Sequence, residues 1–316
     1  MFKTGIYNIN QITTKNSNLK NIFGDDKDIS ITLYEQIQQL ANADEVAERI
    51  LLLFKDERGA YKRTYIKRFE QFDLMILEYL QNIFKNEEYL VIHDAGVSDG
   101  RTALDLFNKI AMIFPNCKYI ASDYNAKVYI ITKNKCQVTM SHTGKMLEIV
   151  WPPFVFNTIR LNRFILFYPI NYLISFIVKL LVVSPMMKAY KAHKLQAKEL
   201  MLFAPKVLYC AKHNPHFLLQ QHDLLQAFKE QTQINIMRVM NVLNPSYFSK
   251  NELSIIINNI YVALTMDGLF ITGSNQNPGS IVDGGIYQKT IKGFKQLAIS
   301  GNGSPVATLI DQLIID

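Results

Sequence analysis

One stretch limits the fold more than any other. Residues 89–94, YLVIHD, form a short apolar run that meets glycines, as a buried parallel strand does. The turn that follows is Asp94-Ala95-Gly96-Val97-Ser98-Asp99-Gly100-Arg101-Thr102, in which Gly96 and Gly100 permit a tight path and close backbone approach. RTALDLFNKIAMIF (101–114) reads as a helix stopped by Pro115, and KYIASD (118–123) as a second strand. Strand, turn, helix and strand at this spacing make a βαβ unit. The helix that starts near Arg101 points N–H groups with no intrahelical partner at the turn.

The flanking sequence fits an α/β domain with additions. Residues 31–85 read as helices, with Asp44 placed to cap one, and no strand signal precedes residue 88. KVYIIT, QVTMS and KMLEIV alternate in polarity with turn residues between them, including Gly144, and predict antiparallel strands. Residues 215–223, 234–241 and 268–275 predict three more sheet strands. Between the last two lies a helix with a Ser249/Glu252 capping box and Gly268 as its stop. The tail predicts a hairpin of IYQKTIKGFKQLAI and PVATLIDQLII around GNGS. The expected division is therefore a polar arm and helical region over 1–85, then the main domain over 86–316, with a basic apolar insert at about 149–205.

Charge is concentrated in that insert. The chain carries a net charge of +7 from 34 Lys and Arg against 27 Asp and Glu. Residues 149–198 hold no acid but carry Arg160, Arg163, Lys179, Lys188, Lys191, Lys194 and Lys198, so the remaining 27 basic residues balance the 27 acidic ones. FILFYPINYLISFIVKLLVV (164–183) has Lys179 as its one charge and as a helix would reach ~30 Å. A single crossing would put the two halves of one sheet on opposite sides of a bilayer. The expected form is a shallow interfacial hairpin that docks on an anionic membrane through residues 157–198 or admits an apolar substrate. A buried lid or dimer contact is the plainer alternative. Nucleic acid is not an expected partner. Cys117, Cys136 and Cys210 form no pair motif, and MFKTGIYNIN lacks a signal-peptide pattern, so the expected location is cytoplasmic, peripheral at a membrane.

The glycine turn resembles the first motif of class I S-adenosylmethionine (SAM)-dependent methyltransferases, an acid followed by three glycines at alternate positions. Asp94, Gly96 and Gly100 fit, and Ser98 stands where the middle glycine would be. The resemblance implies a Rossmann-like α/β sheet with helices on both faces, here with a helical N-terminal extension and an apolar helical insert. It implies SAM as cofactor, with Asp94, Gly96, Ser98, Asp99, Gly100 and Thr102 at the methionine end. It also implies that Asp123, followed by Tyr124, accepts hydrogen bonds from the ribose hydroxyls, a task that suits an acceptor-only carboxylate.

Two other chemistries use such a turn. The spacing from Gly100 to Asp123 fits a dinucleotide fingerprint, but its glycine pattern is broken and Asp99 would repel a diphosphate. A cationic sulfonium tolerates Asp94 and Asp99 better. Residues 96–100 also spell G-x-S-x-G, with Ser98, Asp123 and His222 in hydrolase order. Against that reading, no strands precede residue 88, several follow His222, and no HGG segment exists. A tight turn without a ligand stays open.

Later motifs add detail. In the methyltransferase family an acid at the place of Gln221-His222-Asp223-Leu224 often reads the adenine amino group; Asp223 fits, with Leu224 as a packing wall. Residues 238–248 are similar to the fourth-strand region of chemotaxis receptor (CheR-type) methyltransferases, with an Arg-Asn pair, a Tyr-Phe pair, a helix and a glycine-led strand. Arg238 and Asn241 are three apart here instead of adjacent, so only Asn241 is carried over. Asn244-Pro245-Ser246-Tyr247 resembles the N-P-P-Y motif of amino-group methyltransferases, although a turn before a helix explains it better. Cys210, His213 and His216 match no zinc spacing, and no metal is expected. Methyl transfer needs proximity first and a base only for an acceptor that must lose its proton early. No base is assigned; His222 and Tyr247 are the candidates. The expected function is methyl transfer to a small-molecule or lipid-like acceptor. The alternatives are a non-catalytic methyltransferase-fold binding protein or a serine hydrolase using Ser98.

Overall fold

A computed structural model of the chain describes residues 3–13, 28–40, 43–54, 56–57, 62, 64, 67–158, 169–229, 233–275 and 280–313. In chain order its strands are β1 (Val91–Ala95), β2 (Lys118–Asp123), β3 (Lys127–Lys133), β4 (Cys136–Met140), β5 (Met146–Trp151), β6 (Phe154–Asn157), β7 (Ala197–Met201), β8 (Phe217–Gln221), β9 (Ile234–Met240), β10 (Leu264–Ser274), β11 (Asp283–Thr290) and β12 (Gly293–Ser300). The chain divides into two units, each made of two segments: Met1–Arg63 with Lys127–Pro205, and Thr64–Ala126 with Lys206–Asp316.

The second unit is the Rossmann-like α/β domain. Its sheet runs β12-β11-β10-β9-β1-β2-β8, with β8, β2, β1, β9 and β10 parallel and β11 antiparallel to both neighbours. β1 is buried at all five positions because helices cover both faces. The helix Arg101–Ile113 begins after Gly100, at φ 82°, and buries Ala103, Leu106, Phe107 and Ile110. On the opposite face Leu253, Ile256, Ile257 and Ile260 of the helix Lys250–Ala263 join one core with Val91, Ala95, Met237, Val239 and Phe270. The expected Ser249/Glu252 capping box is formed. Strand order reverses beside β1, which has β2 on one side and β9 on the other. That reversal defines the crevice at the carboxyl ends where a doubly wound sheet takes its ligand.

The first unit is built on an antiparallel sheet, β6-β5-β4-β3-β7. Residues from the start of the chain belong to it: Ser30 donates to Glu148 on β5, Gly5 N–H donates to Pro153 O, and Tyr34 O–H donates to Phe203 O. The helix Pro169–Lys191 also lies in this unit, with Val178, Val183 and Met186 packed on Ile131, Val138, Ile149 and Phe156.

Several local outcomes differ from the sequence reading. Residues 31–85 do not form one helical region. Ile31–Gln39 is a 3-10 segment and Ala43–Leu53 a helix in the first unit, with Asp44 inside the first turn, not at the cap. The helix Glu70–Ile83 belongs with the α/β sheet because Asp73 pairs with Arg238 on β9 and Arg238 lies over Phe69. Gly268 does not stop a helix: the helix ends at Ala263, and Gly268 sits at a register shift in β10, beside Asp267 at φ 62°. The terminal hairpin is β11–β12, turning at Ile291-Lys292, and the chain beyond Ser300 forms a short helix, Ala307–Asp311, because Val306 and Ile310 find the core. Of the apolar segment 164–183, residues 169–183 lie in the single helix Pro169–Lys191. Residues 159–168, with Arg160 and Arg163, and about half of the expected polar arm lie outside the described residues.

Candidate cofactor site

The turn after β1 is shaped by alternate left-handed residues. Gly96, Ser98 and Gly100 have φ of 77°, 58° and 82°. Ser98 therefore holds the conformation that a glycine would adopt at no steric cost. A side chain at position 96 would collide with Val242 Cγ2, because the turns after β1 and β9 touch there.

The turn leans on β2. Gly96 and Val97 N–H donate to Ser122 O at 2.7 and 3.1 Å. Ser98 N–H donates to Asp123 Oδ2 at 2.8 Å, and Asn125 N–H donates to Asp123 Oδ1 at 2.9 Å. His222 N–H reaches Asp123 O at 3.3 Å. Asp123 is thus the residue that joins the carboxyl ends of β1, β2 and β8, and its half-buried carboxylate faces the glycine turn. Two backbone donors hold that carboxylate in place, and a negative, acceptor-only group at a crevice mouth suits a ligand diol.

Other expected residues sit elsewhere. Asp94 points to the opposite face of β1, 1% exposed, where its Oδ2 takes Arg238 Nη1 and Tyr119 O–H, both at 2.8 Å. Arg238 Nη2 also meets Asp73 Oδ1 at 3.0 Å. Burial raises the Asp73 carboxyl from 3.8 to about 6 even though Arg238 opposes it, and burial raises Asp94 as well. Burial alone would lower Arg238, but the two carboxylates outweigh it and hold the guanidinium charged. Asp99 pairs with Arg101 at 2.8 Å, both buried. The charges offered to a sulfonium by Asp94 and Asp99 are therefore neutralised by the chain's own arginines, which removes the electrostatic contrast drawn from sequence between a sulfonium and a diphosphate.

Thr102 is buried in the first helical turn, and Tyr124 is half-buried after β2. Asp223 is half-buried, with Oδ1 accepting from Leu225 N–H at 3.1 Å. Leu224 is no exposed wall; it packs into the core with Phe228 and Leu253. Asn241, at φ 58°, is tied to Asn275: Asn275 N–H donates to Asn241 Oδ1 at 2.8 Å, and Asn241 Nδ2 donates to Asn275 Oδ1 at 3.2 Å. Arg68 clamps Asn275 through Nε at 2.8 Å. Of the two candidate bases, His222 stacks on Phe228 at 4.3 Å between ring centroids, while Tyr247 is 59% exposed. Asn244 closes a turn, with Oδ1 accepting from Ser246 N–H and its carbonyl accepting from Tyr247 N–H, each at 2.9 Å. Ser98 Oγ is buried, whereas a nucleophile elbow exposes its hydroxyl, and among the described residues no strand earlier than β1 joins its sheet.

Three side chains at or beneath the site were not anticipated. His93 on β1 is 1% exposed; its Nε2 lies 2.8 Å from Ser122 Oγ, and burial lowers its pKa to about 3, so the ring is neutral. Phe228 fits between His93 and His222. Arg238 carried a signal of its own: an arginine inside a buried strand requires carboxylates nearby.

These features define a doubly wound α/β domain whose strand order reverses beside β1, the place where such sheets take a ligand. No protein-family model and no curated protein sequence matches the chain. Solved structures similar to it include a candidate SAM-dependent methyltransferase from Methanococcus maripaludis, at 12% identity over 68% of this chain and 67% of that one, with a TM-score of 0.32. The CurJ carbon methyltransferase is similar at 10% identity over 78% of this chain and 44% of that one, TM-score 0.38. A candidate sarcosine dimethylglycine methyltransferase from Galdieria sulphuraria follows at 7% identity over 65% and 47%, TM-score 0.32. The chain spans two-thirds of the first and under half of the other two. The architecture rests on strand order and register, not on these scores.

Proposed function

We propose that the α/β unit binds SAM and transfers its methyl group to a small-molecule or lipid-like acceptor. The supporting observation is Asp123, held by Ser98 and Asn125 N–H groups at the carboxyl end of β2 and facing a turn of alternate left-handed residues. In this reading Asp123 grips the ribose diol, Asp223 meets the adenine edge, and the Gly96–Gly100 backbone lies against the methionine end. SAM supplies an electrophilic methyl carbon when bound; the chain's residues orient it and exclude water. In this reading Asn241, the one residue carried over from the chemotaxis receptor methyltransferases, also lines the site; it follows β9 and is bonded to Asn275, which Arg68 bonds in turn. A lipid-like acceptor is favoured because the segment that carries the apolar helix Pro169–Lys191 is inserted in the chain between β2 and β8.

Titration calorimetry with SAM and S-adenosylhomocysteine tests the reading. Parent protein binds both, and Asp123→Ala binds at least about 10-fold more weakly, as loss of a charge-assisted bond requires. Silence with both ligands, or undiminished affinity in the variant, sinks it. A second reading is a methyltransferase-fold protein that binds without turnover. Binding without SAM consumption across acceptor classes would select it.

A further inference from the structure

The helix Pro169–Lys191 is amphipathic in the reverse sense to a helix of a water-soluble domain. Its inner stripe, Asn171, Ser175, Val178, Val183 and Met186, is buried against the antiparallel sheet and includes two polar residues. Asn171 is satisfied there, its side chain bonded to both the N–H and the carbonyl of Lys3 at 2.7 Å. The outer stripe is Ile170, Tyr172, Leu173, Phe176, Ile177, Leu180 and Leu181, seven large apolar side chains exposed by 42% to 67%. The step from Val178 to Val183 spans a π segment, Lys179–Val183, which absorbs one residue and keeps the inner stripe on the sheet. The outer face therefore remains one continuous apolar strip, of the kind that marks an interaction surface.

Charge says what covers it. Lys188, Lys191 and Lys194 are exposed at the end of the helix, and no acid occurs anywhere in 149–198. A second copy packed face to face about a twofold axis would present the same acid-free segment and so offer these lysines no carboxylate from it. An anionic lipid surface offers both an apolar layer and opposite charge. With its inner side committed to the sheet, the helix has only its outer half to give, which suits a position in the interfacial plane and not across the bilayer. We propose that the outer face of Pro169–Lys191 docks this chain in the plane of an anionic membrane. The inference stands independently of SAM binding.

Co-sedimentation of the full chain with phosphatidylcholine vesicles, with and without phosphatidylserine, tests it. Wild type sediments with the anionic vesicles and is released by salt in part. Leu173→Gln/Phe176→Gln/Leu180→Gln, all outward-facing, loses sedimentation with both vesicle types by at least 10-fold. Lys188→Ala/Lys191→Ala/Lys194→Ala loses about 100-fold on the anionic vesicles alone, from about fivefold per lysine at the surface. Wild type remaining in the supernatant overturns the proposal. So does a wild-type dimer, seen by light scattering without vesicle binding, that the Gln variant converts to monomer. The lysine variant alters only exposed side chains, so its unchanged sedimentation would overturn the electrostatic part without any folding defect.

Discussion

Glu148 gives a sharp test of how the first unit is held together. It lies on β5, 3% exposed, and its oxygens take the Ser30 hydroxyl at 2.6 Å and the Ile31 N–H at 3.3 Å. Ser30 caps the 3-10 segment Ile31–Gln39, so one carboxyl joins the start of the chain to the inserted sheet. Burial raises its pKa from 4.5 to about 8, the two donors opposing and Asp28 assisting. A carboxyl that holds its proton more tightly when folded stabilises fully below pH 4.5, and that contribution is lost as pH rises through about 8. The interval converts to an upper bound of about 5 kcal/mol. Glu148→Gln keeps the shape and an acceptor for Ser30 but has no charge to bury. Urea unfolding can be followed by Trp151, the chain's one tryptophan, which lies at the end of the same strand. Wild type should lose stability between about pH 5 and pH 8.5 while the Gln variant stays nearly level, the gap reaching about 2–5 kcal/mol. Parallel stability curves for the two proteins across that range would refute the reasoning.

Three further outcomes are expected. Gly96→Ala combines a left-handed cost of about 1–2 kcal/mol with crowding of about 1–3 kcal/mol against Val242, and adding Val242→Ala should return only the crowding part in denaturant melts. Arg238→Met leaves Asp73 and Asp94 buried without their cation and should cost about 3–5 kcal/mol, while Asp73→Asn, which removes the excess negative charge, should cost less than half as much by the same measurement. Ser249→Ala breaks the capping box and should lower stability by about 1 kcal/mol without changing SAM affinity by calorimetry.

Much of this protein is written locally. The run YLVIHD, the glycine turn and the amphipathic helix after it fix a βαβ unit because each depends on neighbours within a few residues. The Ser249 cap and the Asn244 turn were legible for the same reason. The carboxylate at Asp123 was legible as a site because it ends a strand beside that turn. Tertiary structure alone decided the rest. Asp94 and Asp99 look like ligand-facing acids in sequence, but Arg238, on a strand paired only through the sheet, takes the charge of the first, while that of the second is taken locally by Arg101, two residues along. The first unit is invisible along the chain because its halves are separated by β1 and β2 and meet only through contacts such as Ser30 with Glu148, 118 residues apart. The apolar segment was conspicuous in composition, yet which of its faces is covered followed only from where the antiparallel sheet lies, since periodicity marks a helix's stripes without saying which one a neighbour will take.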